Sequence, residues 1–221
     1  MDVVTVEHSL HPEVLLQGTV EVAFPLASET KHFIEDLKSL FLNLNGVGLA
    51  APQVGSSQNI FVYRITDEQN SLRKDASRVV PITVLINAYY EPTSDANIVY
   101  DWEACFSVLN HTGKVPRYSK IRYHAYTPEG KPIDAIAEGF EARVLQHEID
   151  HLQGILITHR LDKDCMQGKP DDMLALRYQE FTPQQKQIAK KLLIDRQKNT
   201  PATDIISLDY INRALRILEN D

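Results

Sequence analysis

The segment Gln146-His147-Glu148-Ile149-Asp150-His151 sets two histidines four residues apart with a glutamate between them. On a helix, residues four apart lie one turn above each other. His147 and His151 can therefore present two imidazoles to one divalent ion, with Glu148 beside it as a proton carrier. The bland alternative is a helix whose histidines merely face solvent or the core. A catalytic ion usually takes three protein ligands and keeps one position for water, so a third ligand must come from elsewhere. Cys105, in Glu103-Ala104-Cys105-Phe106-Ser107, is the obvious candidate, because a thiolate is a strong ligand for zinc or ferrous iron. A buried, inert thiol is the commoner fate of a free cysteine. Cys165, His8, His11, His32, His111, His124 and His159 have no supporting motif.

A third segment, Gly46-Val47-Gly48-Leu49-Ala50-Ala51-Pro52-Gln53-Val54-Gly55, lets another backbone approach closely and offers one amide, Gln53, among apolar neighbours. It fails as a phosphate loop, since no Lys-Ser/Thr pair follows and the spacing fits neither nucleotide fingerprint. Its bland reading is a tight helix-to-strand connection.

Several elements must position these segments. Apolar residues at helical spacing predict a helix over 27–44, stopped by Gly46, and another over 139–152, stopped by Gly154. Branched and aromatic runs at 59–65, 81–90 and 120–126 read as strands, and 128–131 as the turn of a hairpin leading into 132–138. The polar stretch 67–77 is expected to be an exposed loop. Two helices, 184–197 and 204–218, follow near the end. The expected fold is α+β: small antiparallel β-sheets packed around a central metal-binding helix, with additional C-terminal helices. A catalytic domain over 1–180 and a helical extension over 181–221 are the expected divisions.

With 221 residues and 43% apolar content, one well-buried core is the natural outcome. Thirty acidic against 23 basic residues, net −7, argue against broad attraction to nucleic acid or an anionic membrane. Two distant cysteines argue against a disulfide framework and for a reducing compartment. Residues 1–10 resemble neither a secretory signal nor a transit peptide, and no apolar run reaches membrane-spanning length, so the expected location is the cytoplasm.

In chain order, the Gly/Ala-rich segment ending at Gln53, Glu103 to Ser107 and Gln146 to His151 resemble the peptide deformylase family, marked by G-x-G-x-A-A-x-Q, E-G-C-x-S and Q-H-E-x-D-H. The first and third match throughout; in the second, Ala104 stands where the family has glycine. Supporting likeness lies in His11-Pro12-Glu13-Val14-Leu15, Val115-Pro116-Arg117, Ala142-Arg143 and Asp150-His151-Leu152-Gln153-Gly154. The resemblance covers roughly 10–161 and leaves the tail beyond about 185 outside.

What it implies is a metal-dependent hydrolase that removes the formyl group from N-formylmethionyl nascent peptides, with a transient ribosome contact. Cys105, His147 and His151 would hold the ion with water as fourth ligand, and Glu148 would be general base, then acid. Gln53 and the backbone N–H of Phe106 would donate to the formyl oxygen. Backbone at Val47, Gly48, Leu49 and Ala104 would run beside the extended substrate. The implied ion is Fe2+, with Zn2+, Ni2+ or Co2+ accepted. The Ala104 methyl is expected to narrow the groove or restrict the backbone there. A zinc peptidase cutting internal bonds shares the histidine pair but predicts a His or Glu third ligand downstream. A relative that has lost catalysis would act as a formyl-peptide or ribosome binding module.

Overall fold

The computed structural model describes residues 1–44, 46–202 and 205–220. In chain order its helices are α1 (Ser28–Leu44), α2 (Asp67–Ser71), α3 (Gly139–Leu152), α4 (Ile157–Arg160), α5 (Pro170–Gln179), α6 (Pro183–Asn199) and α7 (Ile205–Asn220). Its strands are β1 (Gly48–Ala50), β2 (Ile60–Ile65), β3 (Val80–Pro92), β4 (Ile98–Cys105), β5 (Val108–Tyr118), β6 (Lys120–Tyr126), β7 (Pro132–Glu138) and β8 (Gln167–Gly168). They form one antiparallel sheet of order β1-β2-β3-β6-β7 and a second of order β4-β5-β8.

Side chains alternate across a strand, and β2 shows why its run is apolar at every position but Arg64, which is only half-buried. Phe61, Tyr63 and Ile65 face α3, where they meet Leu85, Ile121, Val144, Leu145 and Ile149. Ile60 and Val62 face the other way, onto Ile34, Leu37 and Phe41 of α1. A strand buried on both faces needs apolar residues at every position. The helix α3 thus lies on the sheet as its buried partner, with Phe140, Val144 and Leu145 all under 4% exposed. This is the α+β architecture expected from the sequence.

Two segments differ from expectation. Residues 67–77 are not all loop, because α2 opens them. Thr66 Oγ1 accepts from the Gln69 N–H at 3.2 Å and Gln69 Oε1 accepts from the Thr66 N–H at 3.0 Å, a reciprocal cap that supplies acceptors the N–H groups at the helix start lack. The hairpin β4–β5 carries no clean apolar alternation, because inward positions hold Glu103 and Arg117, each under 7% exposed. Near the end, α6 and α7 match the two expected helices, although Asp204, the expected start of the second, lies outside the described residues. The unpredicted α5 packs on both α7 and β5. No described helix is long and apolar enough to cross a membrane.

At the end of α3 the chain turns through Gly154, whose φ is +73°. A Cβ there would stand 2.6 Å from the backbone carbonyl of Leu16, so both conformation and space demand glycine. Gly154→Ala should destabilise the fold by about 2 kcal/mol or more. An unchanged urea midpoint would show that the turn does not press on residue 16 in solution.

Candidate metal centre

Three elements converge on one point. The first is α3, stitched to the end of β5 by Gln146, whose Oε1 accepts from the Tyr118 N–H at 2.9 Å while Nε2 donates to the Tyr118 carbonyl at 2.8 Å. This fixes the helix rotation, and with it His147, Glu148 and His151. The second is the end of β4, where pairing with β5 shifts register between Glu103 and Cys105. The third is the turn after β1, which carries Gln53.

Cys105 Sγ and one ring nitrogen each of His147 and His151 lie within 4.8 Å of one another, and Sγ is 3.2 Å from His151 Nε2. His147 Nδ1 lies 2.9 Å from Glu103 Oε2. A carboxylate only accepts, so Nδ1 carries the proton and Nε2 is left for an ion. Glu103 is itself held by Arg117, which donates through Nε and Nη2 at 3.0 Å each, and by Arg143 Nη1 at 2.8 Å. Burial pushes the Glu103 carboxyl up, but Arg117 and His147 outweigh it and hold it well below its usual range. Arg117 continues to Asp150, which also takes two hydrogen bonds from Arg160 at 3.1 and 2.6 Å.

Glu148 is 2% exposed, and its Oε2 has no protein partner. Burial, with Glu103 adding to it against the opposing His147 and Arg117, pushes its carboxyl up to about 7. That is the range in which a carboxyl can both take and return a proton near neutrality. Gly48 lies directly against it: a Cβ on Gly48 would be 2.2 Å from Glu148 Oε1.

Gln53 is 1% exposed. Its Oε1 accepts from the Ala50 N–H at 2.9 Å, leaving Nε2 to face Cys105 Sγ at 3.6 Å and Ser107 Oγ at 3.3 Å. The Ser107 N–H also points at Cys105 Sγ, at 3.4 Å. One soft sulfur, two imidazoles and an adjacent unpaired carboxylate suit a borderline divalent ion such as zinc or ferrous iron.

The remaining predicted residues lie on or next to β1 and the end of β4. The strand β1 is an edge, paired only with β2. The Val47 carbonyl accepts from the Arg64 N–H at 3.0 Å. Hydrogen bonding alternates along an antiparallel pair, so Leu49 also turns its peptide groups to β2 while Gly48 turns its own to the open edge. Leu49 is fully buried. Half-buried Phe106 lays its ring on Gly46, where a Cβ would come within 2.5 Å of Cε2. Ala104 is exposed at the register shift, and its φ is not positive. The methyl therefore meets no left-handed backbone there.

Sequence reasoning did not assign functions to Glu103, Ser107, Arg117, Arg143 or Asp150. The available signal was acid and base inside strands and a helix whose other inward residues are apolar.

A model of the polypeptide deformylase family matches residues 2–167. Peptide deformylase 2 of Ralstonia nicotianae is 47% identical over 133 residues, 60% of this chain and 73% of its own. Peptide deformylase 2 of Rickettsia conorii is 46% identical over 135 residues, 59% of this chain and 66% of its own. A class I type b peptide deformylase of Acinetobacter baumannii, solved with Met-Ala-Ser bound, is similar with a TM-score of 0.62 at 26% identity, covering 73% of this chain and 98% of that one. The enzyme of the Vibrio parahaemolyticus bacteriophage VP16T, in complex with actinonin, gives a TM-score of 0.57 at 27% identity over 71% of this chain and 99% of that one. A family match that takes in both sheets, α3 and every residue gathered around Cys105 establishes that this chain belongs to the polypeptide deformylase family.

Proposed function

We propose that this deformylase, a metal-dependent hydrolase that removes the formyl group from N-terminal formylmethionine of newly made proteins, holds its ion through Cys105, His147 and His151 and moves the proton with Glu148. The observation that carries the reading is the convergence of one sulfur and two imidazole nitrogens beside a buried carboxylate with an unpaired oxygen.

The ion, when bound, supplies Lewis acidity, polarising a carbonyl and making water more acidic. The chain's own groups do the rest. Glu148 takes a proton from the attacking water and returns it to the departing amine, so formate and a free N-terminus are the products. Gln53 Nε2 and the Phe106 N–H donate to the formyl oxygen as negative charge grows on it. The substrate runs along the open edge at Gly48, with Val47 and Leu49 shaping that strand and Ala104 opposite. Water exclusion falls to the Phe106 ring over Gly46.

Fe2+ is the proposed native ion, since a thiolate makes the ligand set softer than the His/His/carboxylate sites of ordinary zinc peptidases; Zn2+, Ni2+ and Co2+ fit the same donors. Formylmethionyl nascent chains are the substrates, which places the encounter at the ribosome, in the cytoplasm, where two unbridged cysteines stay reduced. The catalytic unit is 1–180, and 181–221 is an extension. An assay on formyl-Met-Ala-Ser under anaerobic conditions, with metal analysis, tests the whole reading; absent activity in protein carrying one ion per chain would sink it.

Three variants test its parts. Glu148→Ala should keep its metal and lose at least about 100-fold in kcat, because proton transfer goes while the ligands remain. Substantial turnover in that variant would remove Glu148 from the mechanism. Cys105→Ser should lose tight metal binding and Cys165→Ser should not, so equal loss in both would mean the wrong ligand. Ala104→Gly should raise kcat/KM for formyl peptides with a bulky second residue at unchanged metal content. A drop in metal content there would contradict the geometry around Cys105.

A further inference from the structure

The family match ends at residue 167, and of the three helices beyond it α5 docks on β5, the hairpin partner of the strand that bears Cys105, while α6 and α7 pack behind it. Their apolar seam gathers Leu174, Tyr178, Phe181, Ala189, Leu193 and Leu218 around Leu72, which belongs to the segment after α2. Gln185 Nε2 adds a hydrogen bond to the Ser71 carbonyl at 3.0 Å. At the edge of this seam sits Glu180, the cap of α5. Its Oε1 is 2.6 Å from Lys114 Nζ on β5 and its Oε2 is 2.9 Å from Lys74 Nζ. Partial burial pushes the Glu180 carboxyl up, but the two lysines prevail and hold it down at about 2.

Lys114 is the cross-strand partner of Trp102, and its ammonium lies 5.0 Å from that ring's centre. The same rung is held from the other side by Arg73, whose Nη1 donates to the Trp102 carbonyl at 2.8 Å and to Asp101 Oδ2 at 3.0 Å. Arg73 is fixed in turn by stacking 4.1 Å over Phe140 of α3. The next residue after Trp102 is Glu103, the carboxylate that takes the Nδ1 proton of His147. The cleft at this seam holds about 20 Å3, room for no more than a water, so it is a joint and not a ligand site.

We propose that Glu180 is a positioning residue for the metal centre: by tying Lys114 and Lys74 to one carboxylate at the end of α5, it fixes the Trp102 rung of the hairpin and thereby the Glu103 carboxylate that orients His147. The inference rests on His147 being a metal ligand. An exposed ion pair would contribute little, but this carboxylate is three-quarters buried, spans two lysines and holds β5 opposite Trp102, three residues before Cys105 on the paired strand. Loosening it gives Glu103 more freedom, and partners that orient a ligating histidine affect how firmly the ion is held.

The test uses the full chain loaded with Zn2+ and follows transfer of the ion to a chromogenic chelator. Glu180→Gln and Lys114→Met should each release zinc about fivefold faster, a difference of about 1 kcal/mol in barrier. The metal-free proteins should unfold at nearly the wild-type urea concentration. Lys190→Met removes a pair with Glu219 inside the extension, 2.8 Å long, and should leave release unchanged. Wild-type release rates in both Glu180→Gln and Lys114→Met would overturn the proposal. So would equal acceleration in Lys190→Met, since the extension would then act only through general stability. Cys105→Ser run alongside separates the two readings. If it speeds release and Glu180→Gln does not, only the clamp fails; if it does not, the ligand assignment has failed first.

Discussion

The rest of the structure depends on one buried carboxylate. Glu103 points inward from a strand, 6% exposed, into a space shared with Arg117, Arg143 and His147. A lone carboxylate there would be prohibitively costly, and removing one member of such a cluster typically costs about 3–5 kcal/mol because it strands the others. The cluster therefore behaves as a unit. It ties β4 to β5 through Arg117, to α3 through Arg143 and His147, and onward to Asp150 and Arg160. Its geometry is also the reason the metal centre is preformed. The hairpin that carries the sulfur and the helix that carries the imidazoles can approach only in the arrangement that satisfies Glu103.

The same requirement explains why part of the chain was legible and part was not. The imidazole pair could be read directly, because α3 has the periodicity of a buried helix and the four-residue spacing has one geometric meaning. The large sheet was legible in β2, β3, β6 and β7, where branched and aromatic residues face apolar partners. The hairpin β4–β5 was not, since its inward positions alternate apolar residues with Glu103 and Arg117, and a pattern search sees polarity where a core strand should be. Cys105 was named as third ligand only by elimination and by resemblance; nothing in its own neighbours announces a metal. The cap on α2 was written in the sequence as Thr66 and Gln69 and was overlooked inside a polar stretch. The helix α5 has its apolar residues, Met173, Leu174, Leu176 and Tyr178, spread around its circumference with no single stripe, because it contacts both α7 and β5.

Electrostatics then separates two acids only a few residues from the same ion site. Glu103 sits among guanidinium groups and an imidazole, which hold its proton off. Glu148 sits under a backbone strand with one oxygen unpaired, and burial pushes its carboxyl to about 7. One fold thus holds one carboxyl low against a histidine and another near neutrality, which is what the role proposed for Glu148 needs. Pairs of carboxyls whose surroundings drive them apart in this way are what acid and base chemistry at neutral pH requires.

Two of the three glycine positions in the family's motifs, 48 and 104, make the same point about constraint. Gly48 cannot carry a side chain, because the first added carbon would lie 2.2 Å from the Glu148 carboxylate and would drive either the strand or the acid out of place. Position 104 meets no such limit in this protein. Its side chain is exposed, its backbone is not in the left-handed region, and the register shift beside it is formed by the pairing of Glu103 with Gly113 and of Cys105 with Val108. A methyl can be added there without moving Cys105, whose position is fixed by strand pairing and by the buried charges next to it. The methyl reaches only the exposed side of the strand, so under the proposed substrate path it can be felt by the peptide without being felt by Cys105.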